Sequence, residues 1–207
     1  MKVAVIGAGG MGGGIAALLA GSHEVAIGSR DPARGETKAG ELGAARGGGY
    51  ADAVRDAEVV FLTVPWVAID ETLADLGDLG GTVVVDVTNP YVDGALRLHE
   101  GSSNAEEIQA KLPNARVVKG WNTIFAAVLQ DPSFGGGSPS VFLAGDDDDA
   151  KAAVGQLARD MGFDPRDCGP LEAARTLERM LTILGALGHG LPHGGWALKV
   201  LTREVAS

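Results

Sequence analysis

Two small groups of residues near the start of the chain have the types and spacing to do chemistry. The first is Gly7-Ala8-Gly9-Gly10-Met11-Gly12, which carries the spacing G-x-G-x-x-G between an apolar run and a helical pattern. In that setting Gly7 permits a tight turn, Gly9 lets backbone approach a pyrophosphate, and Gly12 lets helix and strand pack closely. Free amides at the helix start then face the phosphates. The second group is Ser29, Arg30 and Arg34, in the stretch VAIGSRDPARG at 25–35. In a dinucleotide-binding unit the end of the second strand meets the adenosine ribose. An acidic residue there accepts from both ribose hydroxyls and repels a 2′-phosphate. Ser29, Arg30 and Arg34 do the reverse: a hydroxyl donates to phosphate oxygen, and guanidinium groups bind it through paired hydrogen bonds. The coenzyme expected from these residues is NADP(H).

The elements that must hold these groups follow a regular alternation. Short β-branched runs at 2–6, 24–27, 58–64, 82–87, 115–120 and 140–145 read as strands. Their continuous apolar character suits burial on both faces. Helical patterns such as MGGGIAALLAG and NAEEIQAKL lie between them. This alternation predicts an α/β fold of Rossmann type, a doubly wound parallel sheet with a short helical C-terminal extension. Residues 1–145 are expected to form the NADP-binding unit. Residues 146–207 are expected to form an α/β extension of the same compact body that makes a dimer contact. Asp31-Pro32 punctuates the second strand, aspartate as N-cap and proline at the first helical position. Arg30 is thus placed in the strand-to-helix loop and Arg34 in the first helical turn. The acidic run at 146–149 reads as a helix start, where carboxylates favour the positive end of the dipole, and not as a metal site.

Other segments fall at the same rim. Thr63-Val64-Pro65-Trp66 ends one strand, Thr88-Asn89-Pro90 another, and Asn122-Thr123 follows a third. Ligands of such sheets lie outside the carboxyl ends of the strands. Val64, Pro65, Asn89, Pro90 and Asn122 are therefore expected around the coenzyme, with Asn89 and Thr123 positioning the reacting rings. Trp66 and Trp121 each suit either a ring-flanking or a core position.

Composition narrows the function. The 207 residues carry a formal net charge of -10, with a pI near 4.8. An acidic surface disfavours binding to a nucleic-acid backbone and suits handling of a small molecule. The single cysteine, Cys168, permits no internal disulfide and has no evident activator. The N-terminal apolar run is too short for a secretory signal, so a cytoplasmic protein is expected. Residues 180–198 carry no formal charge and have the length of a membrane span. Five glycines and Pro192 break that stretch, which predicts a buried or homodimer-interface segment and no membrane insertion. In the overlapping stretch 172–187, Leu177, Met180, Leu181, Leu184 and Leu187 fall at helical spacing. His189 and His193 read as structural or interface residues, because Gly190 and Pro192 spoil the helix that would pair them on a metal.

Taken in order, GxGxxG, IGSRDPAR, TVP, VVDVTNP, KGWNT and GPLEAARTLERM resemble the NADP-dependent reductases of coenzyme F420, a deazaflavin, over nearly the whole chain. The NADPH domain of STEAP-type metalloreductases is similar. The resemblance implies that Ser29-Arg30 and the following basic residue hold the 2′-phosphate, that the glycine loop holds the pyrophosphate, and that the tail helix supports a dimer. It also implies coenzyme F420 as co-substrate. Hydride transfer between two stacked planar rings needs little acid–base chemistry from the protein, and no acid–base residue is expected. About sixty residues follow the last strand-like run, too few for the helical substrate domain of larger relatives, so a broad, shallow cleft is expected. Two alternatives remain: an NADPH-dependent reductase of flavin, ferric chelate or a small carbonyl, and a non-catalytic NADP sensor.

Overall fold

The structure is a computed structural model, and it describes residues 1–192 and 195–203. The N-terminal half alternates strand and helix: β1 (Lys2–Ile6), α1 (Gly10–Leu19), β2 (Glu24–Gly28), α2 (Pro32–Leu42), β3 (Arg46–Gly48), α3 (Tyr50–Val54), β4 (Val59–Leu62) and α4 (Ile69–Leu76). Then come β5 (Val83–Asp86), a small hairpin of β6 (Tyr91–Val92) and β7 (Ala95–Leu96), α5 (Asn104–Lys111) and β8 (Arg116–Lys119). The chain ends with β9 (Ser140–Gly145), α6 (Asp148–Asp160), β10 (Asp164–Asp167) and α7 (Ala174–Gly188).

Eight strands form one sheet in the order β10-β9-β8-β5-β4-β1-β2-β3. The central strands are buried on both faces, as at Val3–Ile6 and Val83–Asp86. Ile15 and Leu19 of α1 and Leu157 of α6 seal one face, while Ile69 and Leu73 of α4 and Ile108 of α5 seal the other. This is the doubly wound arrangement expected for a run of βαβ units.

The sheet departs from the expected parallel pattern at one junction. β8 and β9 pair antiparallel, with Val118 opposite Gly145 and Lys119 opposite Ala144. The segment between them holds only a 3-10 turn at Val128–Gln130, not a crossover helix, so the chain reverses direction. Three features escaped the apolar pattern. β3 (RGG) and β10 (DPRD) are edge strands, each paired to a neighbour on one side only and too short or too polar to show an apolar run. The β6–β7 hairpin has only two residues per strand. The C-terminal extension therefore contributes a strand as well as helices.

The predicted helix starts are in place. Asp31 caps α2 by accepting from Ala33 N at 3.1 Å, with Pro32 at the first helical position. Asp147 caps α6 by accepting from Ala150 N at 2.7 Å, and Asp148 and Asp149 sit in its first turn. In α7 Leu177, Leu181 and Leu184 are buried, but the predicted stripe ends there: Leu187 is 44% exposed and Ile183 60%. Among the described residues no helix is long and apolar enough to cross a membrane.

Candidate active site

The glycine loop shows why each glycine stands where it does. Gly7 has φ +120°, a conformation that side chains with a Cβ rarely adopt. A Cβ on Gly12 would lie 1.8 Å from the Gly7 carbonyl oxygen, so α1 could not pack this close to β1. Gly9 differs: a Cβ there would meet nothing within 4 Å. Its bare backbone borders open space in front of α1, where the first helical amides lack carbonyl partners within the helix. Thr63 Oγ1, at the end of β4, lies 2.9 Å from Ile6 O and 3.2 Å from Gly7 O and braces the turn. This cradle fits a pyrophosphate.

Ser29 follows β2 directly. It is buried, and its amide donates to Gly48 O at 3.0 Å, tying the end of β2 to β3. Arg30 is in the following loop and Arg34 in the first turn of α2, both exposed. Neither guanidinium forms an ion pair among the described residues. Arg97, Arg159 and Arg179 are likewise without an ion pair among the described residues, whereas Arg46, Arg55, Arg116, Arg166 and Arg175 face carboxylates. Arg34 also borders a cleft of about 770 Å³, which runs from Gly9 and Gly10 down between α1 and α2.

Two further clefts meet on this rim. One, about 310 Å³, is lined by Met11 and Thr63-Val64-Pro65-Trp66 on one side and by Val87-Thr88-Asn89 and Tyr91 on the other. The second, about 390 Å³, runs from Asn89 and Tyr91 past Asn122 and Thr123 to Leu184 and Trp196. Asn89 and Tyr91 belong to both. Sequence reasoning named Val64, Pro65, Asn89, Asn122 and Thr123, and all line one cleft or the other. Pro90 lines neither and is buried. Trp66 borders the first cleft and meets the His99 ring edge-on, with centroids 5.5 Å apart. Trp121 is a core residue, fully buried edge-on against Phe61 at 5.3 Å. Tyr91 and Trp196 were not anticipated. Tyr91 sits on a two-residue strand with no pattern, and Trp196 reaches the cleft only through the path of the tail.

A buried charged network holds the loops that carry the two asparagines. Lys119, at the end of β8, is fully buried. Its ammonium donates to Asp86 Oδ2 at 2.8 Å, Thr88 O at 2.7 Å and Glu178 Oε1 at 2.9 Å, which uses all three of its protons. Asp86 Oδ1 accepts from Thr88 N, and Glu178 Oε1 also accepts from Asn104 N. Burial pushes the Glu178 carboxyl above its ordinary value, and Asp86 adds to that, whereas Lys119 and the Asn104 amide oppose it. From this base Asn122 Nδ2 donates to Leu177 O at 2.9 Å and Asn89 Nδ2 to Asn122 O at 2.9 Å. The loops after β5 and β8 and the helix α7 are thus one linked unit. Sequence reasoning found LEAARTLERM as a resemblance and as the start of an apolar helical stripe, without a role for Glu178, whose partners Lys119 and Asn104 lie 59 and 74 residues away in the chain.

Among the described residues no cluster of His, Cys, Asp and Glu could hold a metal ion. His189 is exposed at the end of α7, and His193 lies outside the described residues. Cys168 is half-buried, and burial, with the Asp167 charge, raises its thiol pKa.

Known proteins are similar to this chain in sequence and in fold. A family model described as NADP oxidoreductase, coenzyme F420-dependent, matches residues 2–90. The F420-dependent NADP reductase of Methanocaldococcus jannaschii is 30% identical, over 99% of this chain and 100% of that protein. Rat metalloreductase STEAP3 is 37% identical over 86% of this chain, which spans only 36% of that protein. A crystal structure from Arthrobacter sp. FB24, provisionally described as an F420-dependent NADP reductase, superposes with TM-score 0.88 at 32% identity, over 98% of this chain and 100% of that one. A reductive aminase from Aspergillus terreus, in complex with NADPH4, shares the fold with TM-score 0.69 at 17% identity, over 91% of this chain and 62% of that one.

Proposed function

The chain belongs to the F420-dependent NADP reductase family and is thus an NADP-dependent oxidoreductase, and from that premise we propose that it moves hydride between NADP(H) and the deazaflavin F420. The observation that carries this reading is the meeting of two clefts at Asn89 and Tyr91. One reaches back to the glycine loop, and the other is lined by uncharged residues among those described. That is the geometry two flat rings need to come into contact.

In this reading the residues divide by task. The backbone of Gly7-Ala8-Gly9-Gly10-Met11-Gly12 cradles the pyrophosphate. Ser29, Arg30 and Arg34 hold the 2′-phosphate, and the uncommitted guanidinium groups supply the charge. Val64, Pro65 and Asn89 border the nicotinamide path, with Pro90 fixing the loop beneath. Asn89, Asn122 and Thr123 set the angle at which the rings meet. Asn89 Oδ1 and Asn122 Oδ1 are buried without partners among the described residues. Residues 1–145 thus carry the coenzyme, and the extension at 146–207 closes the acceptor side. When bound, the coenzyme supplies a hydride, one proton with two electrons; the protein positions the rings and excludes water.

The tail supports a further assignment. Ile183, Leu187 and Leu191 expose apolar surface on and beyond α7. A second copy covering that surface gives the homodimer this reading expects, and the protein works in the cytoplasm, where NADPH is available.

The test is a side-by-side acceptor panel with NADPH. Oxidised F420 should lose its visible absorbance faster than FMN, FAD or ferric chelate is reduced. Faster reduction of ferric chelate or flavin would move the assignment to the second class of reductase. Tight NADPH binding without turnover of any acceptor would identify a sensor.

A further inference from the structure

The second cleft has an outer wall that neither the motifs nor the strand ends explain. Residues 195–203 of the tail are fastened at the start of β9. Ser140 N donates to Leu198 O at 2.8 Å, and Val200 N donates to Ser140 Oγ at 3.0 Å. Lys199 Nζ adds a bond to Ser138 O at 2.9 Å. These fastenings bring Trp196 edge-on to Phe125, with ring centroids 5.1 Å apart and planes at 64°. Trp196 is only half-buried there, and with Phe125 it lines the same cleft as Asn89 and Thr123.

The facing material is unusually bare. Gly185 and Gly188 of α7 line this cleft, and a Cβ on either would meet nothing within 4 Å. The slot is therefore bounded by helix backbone and leucine on one element and by aromatic rings on another. Among the described residues that line it, none carries a charge. A slot of this kind suits a flat, uncharged polycyclic ring, held by contact area and ring–ring geometry.

We propose that Trp196, held over the cleft by the pairing of the tail to Ser140, is a specificity-determining residue that forms the outer wall of the acceptor site and selects among flat rings by how deeply they enter. The inference rests on the reading of this cleft as the acceptor side. The indole does not act on the reacting atoms; it fixes how far the ring enters and so how it meets the nicotinamide at Asn89.

Trp196→Leu and Trp196→Phe in the full chain test this. Two readouts are needed: calorimetric binding of oxidised F420 to the protein saturated with NADP+, and steady-state turnover with NADPH on F420 and FMN. Trp196→Leu should weaken acceptor binding and raise its KM by about tenfold, while leaving NADPH affinity within about twofold. It should also shrink the preference for F420 over FMN. Trp196→Phe should recover most of both losses. A Trp196→Leu protein with parental acceptor affinity and preference overturns the proposal, even if the parent is an active reductase. A parent that binds F420 through Trp196 without turning it over keeps the proposal and overturns the enzymatic reading. A parent that neither binds nor reduces any acceptor overturns both.

Discussion

In the proposed reading the phosphate end of the rim draws its groups from residues 7 to 34, a single βαβ unit and the helix start that follows it, whereas the acceptor end gathers Asn89, Thr123, Leu184 and Trp196 from four separate segments. At the first, function comes from local conformation: a turn, a helix start and a strand end place the amides and guanidinium groups. At the second it comes from long-range fastening, through Lys119, Glu178 and the tail's pairing with Ser140. A site made by local turns can fail by one backbone clash and otherwise tolerates change around it. A site made by long-range contacts depends on side chains that never touch the ligand.

The sharpest way to probe the local end is to compare two of its own glycines. Gly12→Ala drives a Cβ into the Gly7 carbonyl and should cost at least about 3 kcal/mol of stability, read as a lowered midpoint in urea. Gly9→Ala has open space and an extended backbone at φ -84°, so stability should stay within about 0.5 kcal/mol while NADPH affinity collapses. Equal loss of stability in both would mean that the loop is one packed turn with no ligand role.

At the long-range end, Glu178→Ala leaves Lys119 with Asp86 as its one carboxylate beside Thr88 O and should destabilise the fold by about 3 kcal/mol, because a buried charge loses one of its partners. Glu178→Gln should lose less, since its amide oxygen still accepts from Lys119 and Asn104 N. The pH dependence separates charge from hydrogen bonding. The folded carboxyl has its pKa raised above the ordinary 4.5, so its contribution favours the fold below that value and fades as pH rises through the raised value. Urea midpoints of the parent should show this fall, and those of Glu178→Gln should lack it. A parent profile matching that of Glu178→Gln would remove the carboxyl from the account.

A smaller effect is expected for Arg30→Ala. Loss of charge-assisted hydrogen bonds of about 1.5–3 kcal/mol should weaken NADPH by about tenfold or more. NADH, lacking the 2′-phosphate, should bind as before, and the fold should be unaffected because Arg30 has no ion pair among the described residues. Titrations with both coenzymes decide it: equal losses would place Arg30 away from the 2′-phosphate.

The sequence by itself determined the alternation of strand and helix, the glycine turn, the cap at Asp31 and the position of Arg34, because each is set by neighbours within a few residues. It also marked the rim residues Val64, Asn89 and Thr123, since in a doubly wound sheet the ends of strands fall together whatever the side chains between them. Tertiary structure alone decided the rest. The antiparallel step between β8 and β9 follows from a connection too irregular to be read. The edge strands β3 and β10 carry no apolar pattern: β3 is three residues whose Gly47 packs directly on the backbone of α2, and β10 is a polar strand only half-buried. Trp121 and Trp66 were equal candidates in the sequence, and packing against Phe61 sent one to the core and left the other at the cleft. Lys119, Glu178 and Trp196 took their roles from partners tens of residues distant. Burial and pairing at that range depend on how whole elements stack, and no local spacing encodes it.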